Sequence, residues 1–232
     1  MWHRPDALML FAAGFGTRMM PLTAARPKPL IAVGGKALID HALGQVDGTA
    51  IRKIVVNLHY LAPMIRDHLA ARTDIELSDE SPMLLDTGGG LRRALPRLGP
   101  GPVYTLNTDA VWSGANALGQ LSEAWDPSRM GGLLLLVPKE RAMGHDGPGD
   151  FAMGDDGCLS RGAQFVYTGA QIITTGLLAR ITEPTFSLNR IWDMLMAEGR
   201  LFGVAHDGNW CDVGRPESIP LAEALLNGGG NV

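Results

Sequence analysis

Two glycines, an arginine and a lysine lie close together, directly after the first apolar stretch of the chain. They are Gly14, Gly16, Arg18 and Lys28, within LFAAGFGTRMMPLTAARPKPLIAVGG. Glycine permits positive φ and the close approach of a ligand, so such a loop can turn backbone N–H groups toward an anion. Arg18 adds a planar donor fork that suits phosphate oxygens, and Lys28 adds a point charge on a segment stiffened by the prolines beside it. The pattern predicts a site for the triphosphate of a nucleotide.

Two better-known glycine motifs do not fit this loop. The P-loop pattern G-x-x-x-x-G-K-[ST] is absent. The dinucleotide fingerprint needs a third glycine where Met19 stands, and the next acidic residue, Asp40, already falls in a predicted helix. An NAD-dependent dehydrogenase is therefore disfavoured. A glycine-rich turn with incidental charges is the remaining alternative, and the presence of both an arginine and a lysine argues against it.

Two aspartates are candidates for holding a metal ion. Asp109 directly follows the apolar stretch VYTLN, and Asp212 lies far along the chain in NWCDVG. Magnesium usually takes one or two protein carboxylates, and substrate phosphates and water complete its shell. From the residues alone, a cap or turn residue is the commoner explanation for a single aspartate in a turn.

Apolar stretches and helical patterns alternate through the first part of the chain. Continuous apolar runs predict strands at 7–12, 53–58, 75–77, 103–107 and 132–137. Apolar residues at helical spacing predict helices at 36–46, 61–69, 89–95 (ended by Pro96) and 116–124. This alternation is typical of a Rossmann-like, three-layer α/β fold with an open, mainly parallel sheet and helices on both faces. Ligands of such sheets bind beyond the carboxyl ends of the strands, where the glycine loop and Asp109 would both fall.

The pattern changes after Pro138. The stretch 144–162 is rich in glycine and aspartate and suits a hairpin or lid, and 164–173 predicts a strand. A helix at 187–198 capped by Ser187, a strand at 201–206, a turn at 209–214 and a helix at 216–226 follow. No repeat or low-complexity linker interrupts the sequence, so we expect a single domain over 1–232 with a small β-rich part at its end.

Charge and composition exclude several classes of partner. The net charge of −4 gives no reason to expect a nucleic acid. The apolar run 7–13 is too short to cross a membrane and lacks the basic start of a signal peptide. Cys158 and Cys211 have no ligand spacing and suggest free thiols in a reducing compartment, and His59, His68 and His145 lack metal-ligand spacing too. We therefore expect a cytoplasmic protein with no membrane partner, and the oligomeric state stays open.

The opening stretch resembles, nearly position for position, the signature of sugar-1-phosphate nucleotidyltransferases, L-A-A-G-x-G-T-R-[LM]-x-P-L-T-x-x-x-P-K-x-L-x-P-V. The resemblance continues through DTGGGLRRAL, LNTDAVW, GDF, YTGAQII and WCDVGRPE, so it covers almost the whole chain. It implies a fold of the nucleotide-diphospho-sugar transferase type, with a nucleotide-binding part at about 1–137 and a sugar-binding part at about 138–232. It also implies Mg²⁺ as cofactor, and a nucleoside triphosphate and a sugar 1-phosphate as partners.

The resemblance further implies roles for individual residues. Arg18 and Lys28 would act on the phosphates during transfer, and the family's matching aspartates, here Asp109 and Asp212, hold the catalytic metal. The residues expected to bind the nucleotide are Ala13, Gly14, Gly16, Thr17, Asp86 and Gly88. Those expected near the sugar are Asn107, Asp150, Thr168 and Gly169. A flexible turn before a helix is the alternative for 86–88, and a turn residue is the alternative for Asp150.

Three departures from the family pattern affect the site. Thr108 replaces the glycine of the usual Asn-Gly-Asp, and threonine would be costly there if the backbone needs positive φ. Arg215 stands where threonine is common. The family's Glu-Lys-Pro lysine, which meets the sugar phosphate, has no evident match, and Arg161 is a candidate substitute.

The substrates are only partly specified by the resemblance. The short chain and the DTGGG and GDF pieces look most like the branch of the family that joins UTP to N-acetylmuramate 1-phosphate in peptidoglycan recycling. An enzyme that uses mannose or glucose 1-phosphate with GTP or TTP is one alternative. A nucleotide-binding protein that has lost turnover is the other.

Overall fold

The computed structural model describes residues 4–228 of the chain. Within them the strands are β1 (Ala7–Phe11), β2 (Ala32–Val33), β3 (Lys36–Ala37), β4 (Lys53–Leu58), β5 (Ile75–Asp79), β6 (Pro102–Asn107), β7 (Ala110–Gly114), β8 (Gly132–Pro138), β9 (Ala142–Met143), β10 (Phe151–Met153), β11 (Leu159–Arg161), β12 (Phe165–Thr174), β13 (Leu201–Ala205) and β14 (Gly208–Asp212). The helices are α1 (Leu38–Gly44), α2 (Ala62–His68), α3 (Asp86–Leu98), α4 (Ala117–Ala124), α5 (Asn189–Ala197) and α6 (Ser218–Leu226).

The central sheet has a parallel half and a mixed half. Strands β6, β1, β4 and β5 are adjacent and parallel. Strand β12 then runs antiparallel to both β6 and β8, and β13 pairs in parallel with β8. The expected α/β fold is confirmed, and the parallel arrangement applies to the half that follows from the alternating first part of the sequence.

Strand β1 shows why helices cover both faces of this sheet. Leu8 and Leu10 belong to a core cluster that includes residues of α1, α2 and α4. Ala7 and Met9 belong to a second cluster, which includes residues of α3 and α5. Because successive side chains of a strand point to opposite faces, a continuous apolar run is buried from both sides.

A second, smaller sheet carries the end of the chain to the site. Strand β14 pairs with β7 in antiparallel fashion and with β9 in parallel fashion. The turn expected at 209–214 is wrong over most of its length, because 208–212 form this strand. Trp210 and Cys211 are buried in different core clusters, and two apolar residues between polar ones are too short a pattern to indicate a strand.

Two helix boundaries also differ from expectation. Helix α3 begins at Asp86 and continues past Pro96 to Leu98, which is buried in the core. Burial of this last turn outweighs the one hydrogen bond that Pro96 cannot donate. Helix α5 begins at Asn189, and the hydroxyl of Ser187 accepts a hydrogen bond from the Asn189 N–H at 3.2 Å.

No helix among residues 4–228 is both long and apolar enough to cross a membrane. The division of the chain near residue 137 stays a prediction.

Candidate active site

A cleft with a volume of about 390 Å³ lies at the carboxyl ends of the parallel strands β1, β4 and β6. This is the edge at which the sequence places the glycine loop and Asp109. Seven predicted site residues line the cleft: Ala13, Gly14, Gly16, Lys28, Asp86, Asn107 and Asp109.

The two glycines of the loop serve different purposes. Gly16 has φ +63°, and a Cβ there would lie 2.9 Å from Cβ of Lys28 and 3.0 Å from Cγ2 of Thr23. The Thr23 hydroxyl also donates to the Gly16 carbonyl at 2.9 Å. A Cβ on Gly14 would meet nothing within 4 Å. Gly16 thus lets the Lys28 segment pack against the loop, whereas Gly14 leaves the backbone open to a ligand.

Lys28 and Asp109 form an ion pair in the cleft. Lys28 Nζ lies 2.9 Å from Asp109 Oδ2, and their side chains are 12% and 32% exposed. Burial by itself would raise the pKa of Asp109, but the charges of Lys28 and Arg18 hold that pKa below its usual value. Asp109 is therefore ionised at neutral pH, and Lys28 points toward the cleft rather than away from it.

Asp212 arrives beside Asp109 through the second sheet. Asp212 is the cross-strand partner of Ala110, and the Val213 N–H donates to the Asp109 carbonyl at 2.8 Å. Burial and the negative charge of Asp109 raise the pKa of Asp212 to about 6. A carboxyl group whose proton affinity is raised by a neighbouring carboxylate marks a site where a cation would relieve repulsion.

Gly214 makes room for the charged groups at this edge. A Cβ on Gly214 would lie 2.8 Å from Asp212 Oδ2 and 3.2 Å from Arg18 Nη1. The guanidinium therefore lies near the second carboxylate, although Arg18 is exposed and lies outside the residues that line the cleft. The loop and the chain's last strand thus meet at one charged edge.

Across residues 4–228, no three His, Cys, Asp or Glu side chains come together as a metal-binding group. Asp109 and Asp212 are the two neighbouring carboxylates that could bind a metal ion at this edge. A two-carboxylate donor set fits Mg²⁺, which completes its shell with substrate phosphates and water. The assignment of this metal stays a prediction.

Thr108 fits its position without backbone strain. Among the described non-glycine residues, only Leu61 and Asp86 have positive φ. The Thr108 hydroxyl donates to the Phe11 carbonyl at 2.7 Å and is buried. Threonine here joins the ends of β6 and β1, so this departure from the family pattern leaves the cleft intact.

The start of α3 differs from the expected nucleotide contacts. Asp86 lines the cleft with φ +60°, and its Oδ1 accepts a hydrogen bond from the Thr87 N–H. The Gly88 N–H donates to the Phe186 carbonyl at 2.8 Å, and a Cβ on Gly88 would lie 2.3 Å from the Phe186 ring. The Gly88 N–H is therefore occupied by this neighbouring segment, and a contact between Gly88 and the nucleotide stays a prediction.

A second cavity of about 260 Å³ adjoins the first. The two cavities share four lining residues: Phe11, Asp86, Thr87 and Asn107. Asp150 also lines the second cavity, and its Oδ2 accepts a hydrogen bond from the Tyr167 N–H at 2.8 Å. Asn107 and Asp150 therefore come together where the sequence expects a sugar.

Three residues that line this second cavity were not predicted from the sequence: Tyr167, Gln171 and Trp192. Trp192 Nε1 donates to Gln171 Oε1 at 2.9 Å, and Gln171 Nε2 donates to Thr105 Oγ1 at 3.0 Å. The Tyr167 ring contacts the Trp192 ring edge-on, with centroids 4.9 Å apart. A glutamine inside the apolar stretch YTGAQII was the one available signal, since a fully buried amide needs partners.

Thr168 and Gly169 support this cavity without lining it. The Thr168 hydroxyl donates to the Leu135 carbonyl at 2.8 Å, and the residue is buried. Gly169 has φ +89°, and a Cβ there would lie 2.8 Å from Cβ of Asn107. Both lie in an irregularity of the β12–β8 ladder. This bulge leaves space for Asn107, and the expected sugar contacts of Thr168 and Gly169 stay predictions.

Three other expected or suspected site residues lie outside both cavities. Thr17 begins an exposed turn of 3₁₀ helix, Thr17–Met19. Arg161 Nη2 lies 2.7 Å from Asp193 Oδ1 on the surface, and its role as a substitute for the missing lysine stays a prediction. Arg215 pairs with Asp146.

Comparison with known proteins agrees with the geometry. Residues 7–96 match the family model described as nucleotidyl transferase. The chain is 40% identical to the N-acetylmuramate alpha-1-phosphate uridylyltransferase of Caulobacter vibrioides, over 97% of this chain and 99% of that protein. It is 30% identical to the protein of that name from Neisseria meningitidis serogroup B, over 94% of this chain and 96% of the relative.

A solved structure shows the same fold. HddC from Yersinia pseudotuberculosis superimposes with a TM-score of 0.76 at 18% identity, covering 95% of this chain and 99% of that chain.

Proposed function

The chain belongs to the sugar-1-phosphate nucleotidyltransferase family, and we propose that it joins UTP to N-acetylmuramate 1-phosphate, giving a nucleotide sugar and pyrophosphate. The observation that supports the reaction is that Lys28 and Asp109 pair within the cleft and Asp212 lies beside Asp109. The choice of substrates is supported by near-complete coverage of the Caulobacter vibrioides relative at 40% identity. Such an enzyme would act in peptidoglycan recycling, in the cytoplasm.

The reaction is an in-line displacement at the α-phosphorus of the nucleotide. A phosphate oxygen of the sugar 1-phosphate forms the new O–P bond, the bond to the α–β bridging oxygen breaks, and pyrophosphate leaves with the electron pair. Positioning and charge neutralisation do most of the protein's work in such transfers. When bound to Asp109 and Asp212, Mg²⁺ would supply Lewis-acid polarisation of the α-phosphate.

The protein's own cations act on different phosphates. Arg18, at the mouth of the cleft, offsets the charge that builds on the β- and γ-phosphates as they leave. Lys28, deeper in the cleft and held by Asp109, meets the α-phosphate and the attacking oxygen. The open backbone at Gly14 approaches the phosphates closely. Groups positioned before the reaction are the arrangement that lowers a barrier most, and the Lys28–Asp109 ion pair supports such positioning.

The second cavity takes the sugar. The two cavities share a wall formed by Asp86, Thr87 and Asn107, so a sugar bound in the second cavity would lie next to the nucleotide cleft. Asp150 and the amide of Asn107 offer hydrogen-bond partners for hydroxyl and N-acetyl groups. The sugar's phosphate then faces Lys28 across Asn107.

A substrate panel tests the proposal. The protein is incubated with UTP, GTP or TTP and with N-acetylmuramate, mannose or glucose 1-phosphate, and pyrophosphate release is measured with Mg²⁺ and with excess EDTA. We expect the fastest release with UTP and N-acetylmuramate 1-phosphate, and its loss with EDTA. Faster release with GTP and mannose 1-phosphate would contradict the substrate assignment, and tight nucleotide binding without any pyrophosphate would contradict the reaction.

A further inference from the structure

A buried carboxylate behind the nucleotide cleft has no part in the mechanism above. Glu80 follows β5 and is 2% exposed. Its Oε1 accepts a hydrogen bond from Asn57 Nδ2 at 2.6 Å, and its Oε2 accepts one from the Leu85 N–H at 3.0 Å. Since an ionised group is costly to bury unless both oxygens are satisfied, this arrangement needs an explanation beyond filling space.

Asn57 extends the arrangement to the opposite wall of the cleft. It ends β4, lines the cleft and is itself buried. Its Oδ1 accepts a hydrogen bond from the Ala12 N–H at 2.7 Å. The side chains of Asn57 and Glu80 therefore connect the backbone at Ala12, which leads into the glycine loop, to the backbone at Leu85, which leads into the start of α3.

Helix α3 packs directly against this pair. A Cβ on Gly90 would lie 2.5 Å from Glu80 Oε1 and 3.2 Å from Asn57 Nδ2. Only glycine fits here, so the third residue of the GGG run is explained by this contact. The Glu80 N–H donates to the Leu58 carbonyl at 2.8 Å, which fixes the carboxylate relative to β4.

We propose that Asn57 and Glu80 are positioning residues that set the separation between two walls of the nucleotide cleft, 12–14 and 84–87. The proposal rests on the proposed function, in which this cleft takes the triphosphate. The pair joins backbone on the nucleotide side, and neither residue lines the sugar cavity. Because Asp86 and Thr87 of the second wall line both cavities, changing the pair should alter nucleotide affinity much more than the affinity for the sugar phosphate.

The direction of the hydrogen bonds allows a test by exchange. In Glu80→Gln the amide cannot accept from Asn57 and from the Leu85 N–H together. In Asn57→Asp two carboxylates face each other. In the double variant Asn57→Asp with Glu80→Gln, the new carboxylate at position 57 accepts from the Ala12 N–H and from the NH₂ group of the new amide. The oxygen of that amide, at position 80, accepts from the Leu85 N–H. All three hydrogen bonds return: the bond between the two side chains has its direction reversed, and the two backbone N–H groups still donate.

The measurements are the affinity for UTP with Mg²⁺, by calorimetry without sugar phosphate, and the KM for each substrate. Loss of one hydrogen bond to a charged group costs a free energy that corresponds to about a 10-fold change in an equilibrium constant. Each single variant should therefore bind UTP about 10-fold more weakly. The KM for the sugar 1-phosphate should stay within about twofold, and the double variant should return to within about threefold of wild type. Asp79→Asn is the matched control, because Asp79 ends the same strand and is exposed.

Three outcomes would overturn the proposal: single variants that bind UTP like wild type, a proportional rise of both KM values, or a double variant that recovers its thermal midpoint but not its UTP affinity. If Glu80→Gln does not fold, Glu80→Asp applies the same criteria, because the shorter side chain keeps the charge but cannot reach both partners. Calorimetry needs no turnover. A protein that fails the substrate panel yet shows these shifts in UTP affinity would refute the transferase proposal alone.

Discussion

The two adjoining cavities of this protein are built in different ways. The nucleotide cleft lies at the ends of parallel strands and combines open loop backbone with the Lys28–Asp109 ion pair. The sugar cavity lies against antiparallel β12 and helix α5, and no lysine or arginine is among its lining residues. Its lining combines the carboxylates of Asp86 and Asp150 with neutral partners such as the Gln171 amide and the Trp192 indole.

This difference supports the proposed division of work between the two cavities. Highly charged phosphates require cations and backbone donors, which only the first cavity supplies. A sugar presents hydroxyl groups, which neutral donors, acceptors and aromatic faces can recognise. We therefore expect the largest effects of single substitutions in the nucleotide cleft and smaller effects near the shared wall. The smallest effects are expected in the sugar cavity and outside both cavities.

The largest effect should follow removal of a charge from the cleft or from the charged edge beside it. Asp109→Ala and Arg18→Ala should each lower kcat by about 10²–10³, because a charged group used in the transition state is lost. Pyrophosphate release measures this, and circular dichroism should show a retained fold. Asp74→Ala is the control, since Asp74 forms a surface pair with Arg72. Near-wild-type turnover in either site variant would contradict the assignment.

The next effect concerns the start of α3, directly after Asp86 and Thr87 of the wall that both cavities share. A Cβ on Gly88 would lie 2.3 Å from the Phe186 ring and 2.8 Å from its carbonyl oxygen. Gly88→Ala should lower the free energy of unfolding by about 1–3 kcal/mol, because the segment at Phe186 must move. Urea unfolding measures the change. Gly176→Ala is the control, since a Cβ there meets nothing within 4 Å, and an equal loss in both variants would contradict the packing argument.

A smaller effect should separate the two cavities kinetically. Trp192→Phe removes the donor to the buried Gln171 carbonyl, which costs about 1–1.5 kcal/mol. The KM for the sugar 1-phosphate should rise about 10-fold, and the KM for the nucleotide should not change. Trp125→Phe is the control, because the Trp125 indole nitrogen is buried without a hydrogen-bond partner. A rise confined to the nucleotide KM would reverse the assignment of the cavities.

The smallest effect lies outside both cavities and concerns pH. Burial lowers the pKa of His206, whose ring nitrogens meet Gln120 Nε2 and the Ser113 carbonyl. As the pH falls below about 6.5, the unfolded chain binds the proton first, so the free energy of unfolding decreases until the lower folded pKa is reached. Urea unfolding at pH 7.5 and 5.5 should show a smaller decrease in His206→Gln than in wild type. Equal decreases would contradict the lowered pKa.

Part of the site was visible in sequence because its signals are local. The glycine loop, Lys28 and Asp109 follow apolar strands within a few residues, and the alternation of elements fixes which edge of the sheet they share. The antiparallel position of β12 was not visible, since a buried strand has the same apolar pattern in either direction.

The sequence by itself determined the alternating α/β order and the charged groups of the nucleotide cleft, because periodicity and residue type report burial and chemistry. Only the tertiary structure decided that Asp212 reaches Asp109, that Gly88 faces Phe186, and that Asn57 meets Glu80. These contacts join residues far apart in the chain. Which donor meets which acceptor depends on strand pairing and packing, and no local pattern records it.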